Sequence, residues 1–160
     1  MDKEHFFTEI RNGNVDKISQ IISENPDFIE TKDQRGSTPL ILATYYNHVA
    51  ITSILLEKGA EIDAKDASGN TALMGVCFKG FIEIAKVLIE KGADVNVRNA
   101  MGSTSLIYAA TFNRLEIAKL LLEKGADVTL KDARGNTALD HAKINGAPDI
   151  IDVILQFPTD

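Results

Sequence analysis

A five-residue pattern recurs along the chain at a constant interval, and this interval constrains the fold more than any other feature. The four copies read GSTPL from Gly36, GNTAL from Gly69, GSTSL from Gly102 and GNTAL from Gly135, each 33 residues after the one before. A second block keeps the same interval, as LLEKGAEID from Leu55, LIEKGADVN from Leu88 and LLEKGADVT from Leu121. A constant interval of this length predicts an array of stacked repeat units, in which neighbours bury one another's apolar faces.

Each unit has the residues expected of two short helices. A threonine stands where its hydroxyl can cap the first helix, and Pro39 follows one of these at a position where its missing N–H has no cost. Only Asn or Gly occupies the predicted end of that helix, because these residues best tolerate a left-handed backbone. The positions are Asn47, Gly80, Asn113 and Gly146. A second helix follows, with a lysine in its last turn and a glycine that ends it.

The pattern divides the chain into five units, at about residues 1–32, 33–65, 66–98, 99–131 and 132–160. The first unit keeps the interval only in its apolar residues, for example Phe7, which lies 33 residues before Leu40. On the same interval we expect Asn14 to end its first helix. In the last unit Pro158 takes the place of the glycine. Three internal units between two caps meet the usual minimum of about three for a stable array.

Over essentially its whole length the chain resembles the ankyrin repeat family. The family's pattern, G-x-T-P-L-H-x-A followed by a second helix that ends in GADVN, is visible at the constant interval. The resemblance implies an all-α solenoid of helix-turn-helix units joined by β-hairpin-like turns, in one domain over residues 1–160. The proline survives only at Pro39, and the histidine after the leucine is replaced. That position holds Ile41, Met74, Ile107 and Asp140, so we expect the turns to be held together differently.

The composition argues against several classes of function. The net charge is −6, whereas nonspecific binding to nucleic acid requires clustered cations. The single cysteine, Cys77, excludes an intrachain disulfide. The first segment, MDKEHFFTEIRNGN, has no apolar run long enough for a signal peptide or a membrane helix. We therefore expect a cytoplasmic protein that binds neither nucleic acid nor membrane.

The sequence shows no constellation of catalytic or metal-binding residues. No histidine pairs with Cys77 at a metal-ligand spacing, and Cys77 shares the unit position of Ala110, which favours a small core residue over a nucleophile. His48 follows the end of a first helix, where the resemblance implies a structural histidine. His141 stands beside Asp140 without a nucleophile. We therefore expect no enzymatic activity, no metal and no cofactor.

Aromatic side chains recur on the outward face of the first helix. If Leu40 faces the core, a rotation of about 100° per residue turns Tyr45 and Tyr46 away from it. Such a face should be mostly polar, yet it carries five of the ten aromatic residues. They are Tyr45, Tyr46, Phe78, Tyr108 and Phe112, with Lys79 among them. The resemblance implies that this face lines the concave side of the solenoid, where partners commonly bind.

Packing against a neighbouring unit is the alternative for each of these rings, because adjacent first helices lie about 8–10 Å apart. Packing is favoured for Leu42 and Tyr108, whose unit position is often apolar in the family. Exposure is favoured for Tyr46 and Phe112, which point furthest from the second helix. For Tyr45 and Phe78 both interpretations stay open.

The turn tips form a second candidate surface. Lys32, Lys65, Arg98 and Lys131 recur at one unit position. Arg35 and Arg134 lie near the tips, and Met101 is an apolar, adaptable residue at another tip. The cations can attract an acidic partner, but each recurrent one stands beside an aspartate or Asn99. Local neutralisation is therefore favoured over a basic binding patch.

Together these features predict a noncatalytic module that binds another protein and is itself a monomer. Its predicted contacts are Tyr45, Tyr46, Phe78, Lys79, Tyr108 and Phe112 on the helical face, and Arg35, Met101 and Arg134 at the tips. One alternative is an acidic inhibitor or immunity-type protein that caps a basic enzyme or toxin, which the net charge permits. Another is a stability scaffold without a native partner, although the wide variation at outward positions argues against a consensus design.

Overall fold

The computed structural model describes residues 2–157, which form ten α-helices and a short 3-10 helix at Pro26–Glu30. The α-helices are α1 (Lys3–Asn12), α2 (Val15–Glu24), α3 (Pro39–Tyr45), α4 (Val49–Glu57), α5 (Ala72–Lys79), α6 (Ile82–Glu90), α7 (Ser105–Thr111), α8 (Leu115–Glu123), α9 (Ala138–Ile144) and α10 (Pro148–Leu155). Odd-numbered helices pack on one another in one layer, and even-numbered helices form a second layer. Residues 2–157 contain no strand. The predicted all-α repeat solenoid is confirmed; Pro158 lies outside the described residues.

The predicted helix boundaries follow from local chemistry. The hydroxyl oxygens of Thr38, Thr71, Thr104 and Thr137 each accept a hydrogen bond of 3.2 to 3.3 Å from the backbone N–H three residues later. At the other end of the first helix, Asn47, Gly80, Asn113 and Gly146 have left-handed backbones with φ between 56° and 80°. Both predictions are confirmed for units two to five.

The first unit departs from the predicted register by one residue. Its left-handed residue is Gly13, with φ of 72°, whereas Asn14 has φ of −84°; the prediction for Asn14 is wrong. A Cβ on residue 13 would lie 2.7 to 2.9 Å from two atoms of the His48 ring in the next unit, so glycine leaves room for that ring. The same ring places its Nε2 2.9 Å from the Arg11 carbonyl oxygen, which gives His48 the structural role predicted for it.

The turns are held by the first residue of each tip. One side-chain oxygen of Asp33, Asp66, Asn99 and Asp132 accepts the backbone N–H groups two and four residues later, at 2.9 to 3.0 Å. Adjacent tips are joined by backbone hydrogen bonds such as the one from Ala100 N–H to the Ser68 carbonyl, at 3.0 Å. These bonds connect the units where the family histidine is missing.

The recurrent cations have a different role from the predicted local neutralisation. Lys32 Nζ donates to the Lys65 carbonyl oxygen at 3.1 Å, and the Arg98 guanidinium donates to the Lys131 carbonyl oxygen. Each of these side chains therefore bonds to the backbone of the next unit at the equivalent position. They support the stack and do not form a separate basic patch.

Cys77 lies in the core between α5 and its neighbours and is completely buried. Burial raises the pKa of its thiol to about 12, an effect only partly offset by a hydrogen bond with Ser105. Since the thiolate is the reactive form, we expect a disulfide reagent to label the native chain at pH 8 at least a thousandfold more slowly than the urea-unfolded chain. Absorbance of the released thiol measures both rates; similar rates would contradict the burial of Cys77.

Candidate binding groove

Four of the predicted aromatic contacts lie on the surface of the odd-numbered helix layer. The side chains of Tyr45, Tyr46, Phe78 and Phe112 are between 38% and 43% exposed. The exposure predicted for Tyr46 and Phe112 is confirmed, and the structure decides the open cases of Tyr45 and Phe78 in favour of exposure. Leu42 is buried and Tyr108 is half-buried, as the packing interpretation predicted.

The exposed rings form two clusters. In the first cluster, Tyr45 and Tyr46 meet edge to face with ring centroids 5.5 Å apart, and Lys79 Nζ lies 4.7 Å from the Tyr45 centroid. In the second cluster, Phe112 contacts Phe78 edge to face at 4.8 Å and stacks on Tyr108 at 6.2 Å. Edge-to-face and offset arrangements are those that aromatic pairs prefer. The rings within each cluster therefore support one another.

A groove of about 760 Å³ lies between the two clusters. Met74 and Gly75 of α5 line it, the first cluster forms one wall, and the second cluster forms the other. A Cβ built on Gly75 would meet nothing within 4 Å. The equivalent residues of units two, four and five are Leu42, Tyr108 and His141. The groove is therefore open because unit three lacks the side chain that its neighbours have at this position.

Charged residues line the groove toward the turn tips. They are Arg11, Asp33, Arg35 and Asp66. A guanidinium nitrogen of Arg11 lies 3.9 Å from the Asp33 carboxylate, while the Arg35 side chain is exposed. Of the predicted tip contacts, the structure brings only Arg35 to the groove. Met101, which is 60% exposed, and Arg134 lie on later tips outside it.

Tip residues in the later units also contact the helix that follows them. Asn99 Nδ2 donates to the Tyr108 hydroxyl at 3.0 Å, and His141 Nε2 lies 2.7 Å from Asp132 Oδ2. His141 therefore pairs with Asp132 and not with the adjacent Asp140. Burial alone would raise the pKa of Asp132, but hydrogen bonds from His141 and from two backbone N–H groups outweigh it, so the pKa lies below its ordinary value.

Gly75, Asp66 and Arg11 line this groove but were not among the contacts predicted from the sequence. A signal was available for Gly75, since glycine in the middle of a predicted helix weakens it by about 1 kcal/mol relative to alanine. Asp66 was recognised only as part of a repeated turn. Nothing in the sequence pattern places Arg11, in α1, beside the tip of the next unit.

Two further findings bear on what the surface can do. Within residues 2–157, no three His, Cys, Asp or Glu side chains come close enough together to hold a metal ion. In the same part of the chain, no helix has both the length and the apolar character that crossing a membrane requires.

The stacked helix pairs define a helical repeat protein, and the layer of odd-numbered helices carries the aromatic groove. The family model for ankyrin repeats, which describes three copies of the repeat, matches residues 6–99, 63–132 and 94–160. The chain therefore belongs to the ankyrin repeat family, as its sequence pattern predicted. Members of this family are generally protein–protein interaction modules and are typically noncatalytic. Comparison with curated protein sequences gave no significant match.

Proposed function

We propose that the chain is a noncatalytic protein-binding module whose groove over Gly75 receives a segment of a partner protein. The observation that carries this proposal is the pairing of an open hollow with two ordered aromatic clusters on its walls. Exposed aromatic rings beside a hollow are typical of the energetically dominant part of a protein interface.

The exposed rings set a limit on how much affinity they can supply. A fully buried aromatic side chain removes about 150–250 Å² from water, and about two-fifths of each of the four rings is still exposed. At about 25 cal/mol per Å², covering the four would contribute roughly 8 kcal/mol. Association itself costs about 4–15 kcal/mol. Specific binding therefore needs further contacts inside the groove as well as the rings.

The acidic-inhibitor alternative makes a different prediction for association kinetics. The charges of the groove lining are balanced, because it contains two arginines, Arg11 and Arg35, and two aspartates, Asp33 and Asp66. We therefore expect the association rate with the partner to change less than about threefold between 50 and 500 mM salt. A steep fall in that rate would favour an acidic cap over groove binding. We further propose a monomer that acts in the cytoplasm, where a lone buried thiol such as Cys77 stays reduced.

The proposal predicts the effect of removing one ring from each cluster. A Tyr46→Ala, Phe112→Ala double variant should bind the partner at least tenfold more weakly, which corresponds to about 1.4 kcal/mol. Affinity capture from extracts of the source cells, with the wild type and the double variant side by side, identifies a protein that the wild type retains and shows whether the double variant retains it. Calorimetry with that protein then measures the two dissociation constants.

A matched control removes exposed apolar side chains outside the groove. Val49 and Leu155 are 39% and 64% exposed and do not line it. A Val49→Ala, Leu155→Ala double variant should bind the partner within twofold of the wild type. If the aromatic double variant retained the partner as well as this control did, the groove would not be the binding site.

A further inference from the structure

We propose that the hollow over Gly75 receives an arginine side chain of the partner, which binds between the Asp66 carboxylate and the aromatic rings. This inference rests on the proposed function and specifies the chemistry of the partner at that site. It follows from comparing the same contact in successive units, because the repeat places equivalent atoms in equivalent surroundings.

In units four and five, the first residue of the tip bonds to the side chain nine residues later. Asn99 reaches the Tyr108 hydroxyl at 3.0 Å, and Asp132 reaches His141 at 2.7 Å. In both cases the other side-chain atom of the tip residue accepts the two backbone N–H groups of the turn. Each tip residue therefore uses one atom for its own turn and the other for the following helix.

In unit three the first residue of the tip is Asp66, but the following helix offers it no side-chain donor. Oδ1 of Asp66 accepts the N–H groups of Ser68 and Asn70, both at 2.9 Å. The residue nine positions later is Gly75, which has no side chain. Among residues 2–157, no side chain donates a hydrogen bond to Asp66 or forms an ion pair with it. A carboxylate that lines the groove thus lacks the donor that the equivalent residue has in unit five.

The chemistry of this position favours a cationic donor. An ionised carboxylate only accepts hydrogen bonds, and its bonds to charged donors are about twice as strong as neutral ones. Unit five already places a histidine opposite the equivalent carboxylate. Arginine fits the hollow better than lysine does, because its flat guanidinium can pair with a carboxylate and stack on aromatic rings. Beside the groove, one cation already lies on a ring of its wall, with Lys79 Nζ 4.7 Å from the Tyr45 centroid.

Neither of the two arginines that line the groove supplies the cationic donor that Asp66 lacks. Arg11 lies 3.9 Å from Asp33, so its charge is balanced within the groove. Arg35 is exposed at the tip of unit two, and its contacts to unit three and to its own turn use backbone atoms. The competing chemistry is an acidic residue of the partner that binds Arg35. Peptide selection distinguishes it from an arginine that binds Asp66.

The test uses a phage-displayed library of random twelve-residue peptides selected on the wild-type chain. Peptides that enrich are synthesised, and their dissociation constants are measured by fluorescence anisotropy. We expect them to share an arginine, and replacing it with citrulline, which is neutral and of the same shape, should weaken binding at least tenfold. Asp66→Asn should weaken binding by a similar factor, and citrulline should then have less than a twofold further effect.

The Asp66→Asn variant is chosen because it preserves the turn. Asn99 occupies the equivalent position in unit four and accepts the same two backbone bonds. Asp94→Asn is the matched control, since it removes one negative charge from an exposed residue outside the groove. That variant should bind the peptides within twofold of the wild type.

Other outcomes would overturn the inference. Peptides that bind equally well with citrulline, or equally well to Asp66→Asn, would show that no cation reaches Asp66. Enriched peptides that share an acidic residue and lose affinity with Arg35→Gln would assign the groove to the competing chemistry. In either case, a loss of binding in the Tyr46→Ala, Phe112→Ala variant would leave the proposed function standing. Peptides insensitive to that variant, or no enrichment at all, would contradict both proposals.

Discussion

Gly75→Leu is expected to make the protein more stable and, at the same time, unable to bind its partner. Glycine inside a helix is less favourable than leucine by roughly 0.5–1 kcal/mol, and a side chain at this position enters open space. Leu42 shows that the equivalent site of unit two accepts leucine. The same side chain fills the hollow, so we expect partner affinity to fall at least a hundredfold, or about 2.8 kcal/mol.

Urea unfolding and calorimetric titration measure the two effects separately. Gly75→Ala is the graded control, because alanine brings most of the helical gain while occupying little of the groove. It should therefore be as stable as the leucine variant and bind within about tenfold of the wild type. A leucine variant that bound normally would place the binding site elsewhere. Equal losses in both variants would implicate the backbone of Gly75 and not the volume of the hollow.

Leu122→Ala is expected to lower the free energy of unfolding by about 2–5 kcal/mol, whereas Leu155→Ala should change it by about 0.5 kcal/mol or less. The two leucines occupy the same position in units four and five. Leu122, in α8, is 3% exposed because α10 of the next unit packs against its helix, while Leu155, in α10, is 64% exposed. The residue type, the position in the repeat and the substitution are therefore matched, and the main difference is the covering unit.

Urea unfolding followed by circular dichroism provides both values. The large loss in the first variant arises because buried methyl groups leave a cavity that the surrounding side chains fill only partly. In a stack of units the same loss also weakens the interface between units four and five. Equal effects of the two substitutions would mean that burial by the following unit does not determine stability at this position.

The fold was predictable because its determinants are local and repeated. Thr38 and Asn47 act through the backbone within a few residues, so a pattern in the sequence is sufficient to place them. Gly13 shows the limit of this reasoning. The ring of His48 in the next unit leaves little room for a Cβ at this residue, and no interval within the first unit contains that information.

The binding groove was predictable only in part. The helical rotation that turns Tyr46 outward depends on α3 alone, and its exposure was anticipated. The hollow depends on a missing side chain at Gly75 together with rings from the units before and after it. Asp66 has the same turn contacts as Asp132 and differs only in what lies nine residues later. The hollow and the unpaired carboxylate both depend on how three units pack together. The sequence pattern of a single unit does not contain that information.

The location of the partner on the chain is measured most directly by cross-saturation in solution. The bound partner is irradiated, and the signal loss is followed at the amide and ring protons of the isotope-labelled chain. We predict the largest losses at Tyr46, Gly75, Phe78 and Phe112, which face the groove. Losses concentrated on the exposed side of α6 and α8, or at the Met101 and Arg134 tips, would contradict a binding site in this groove.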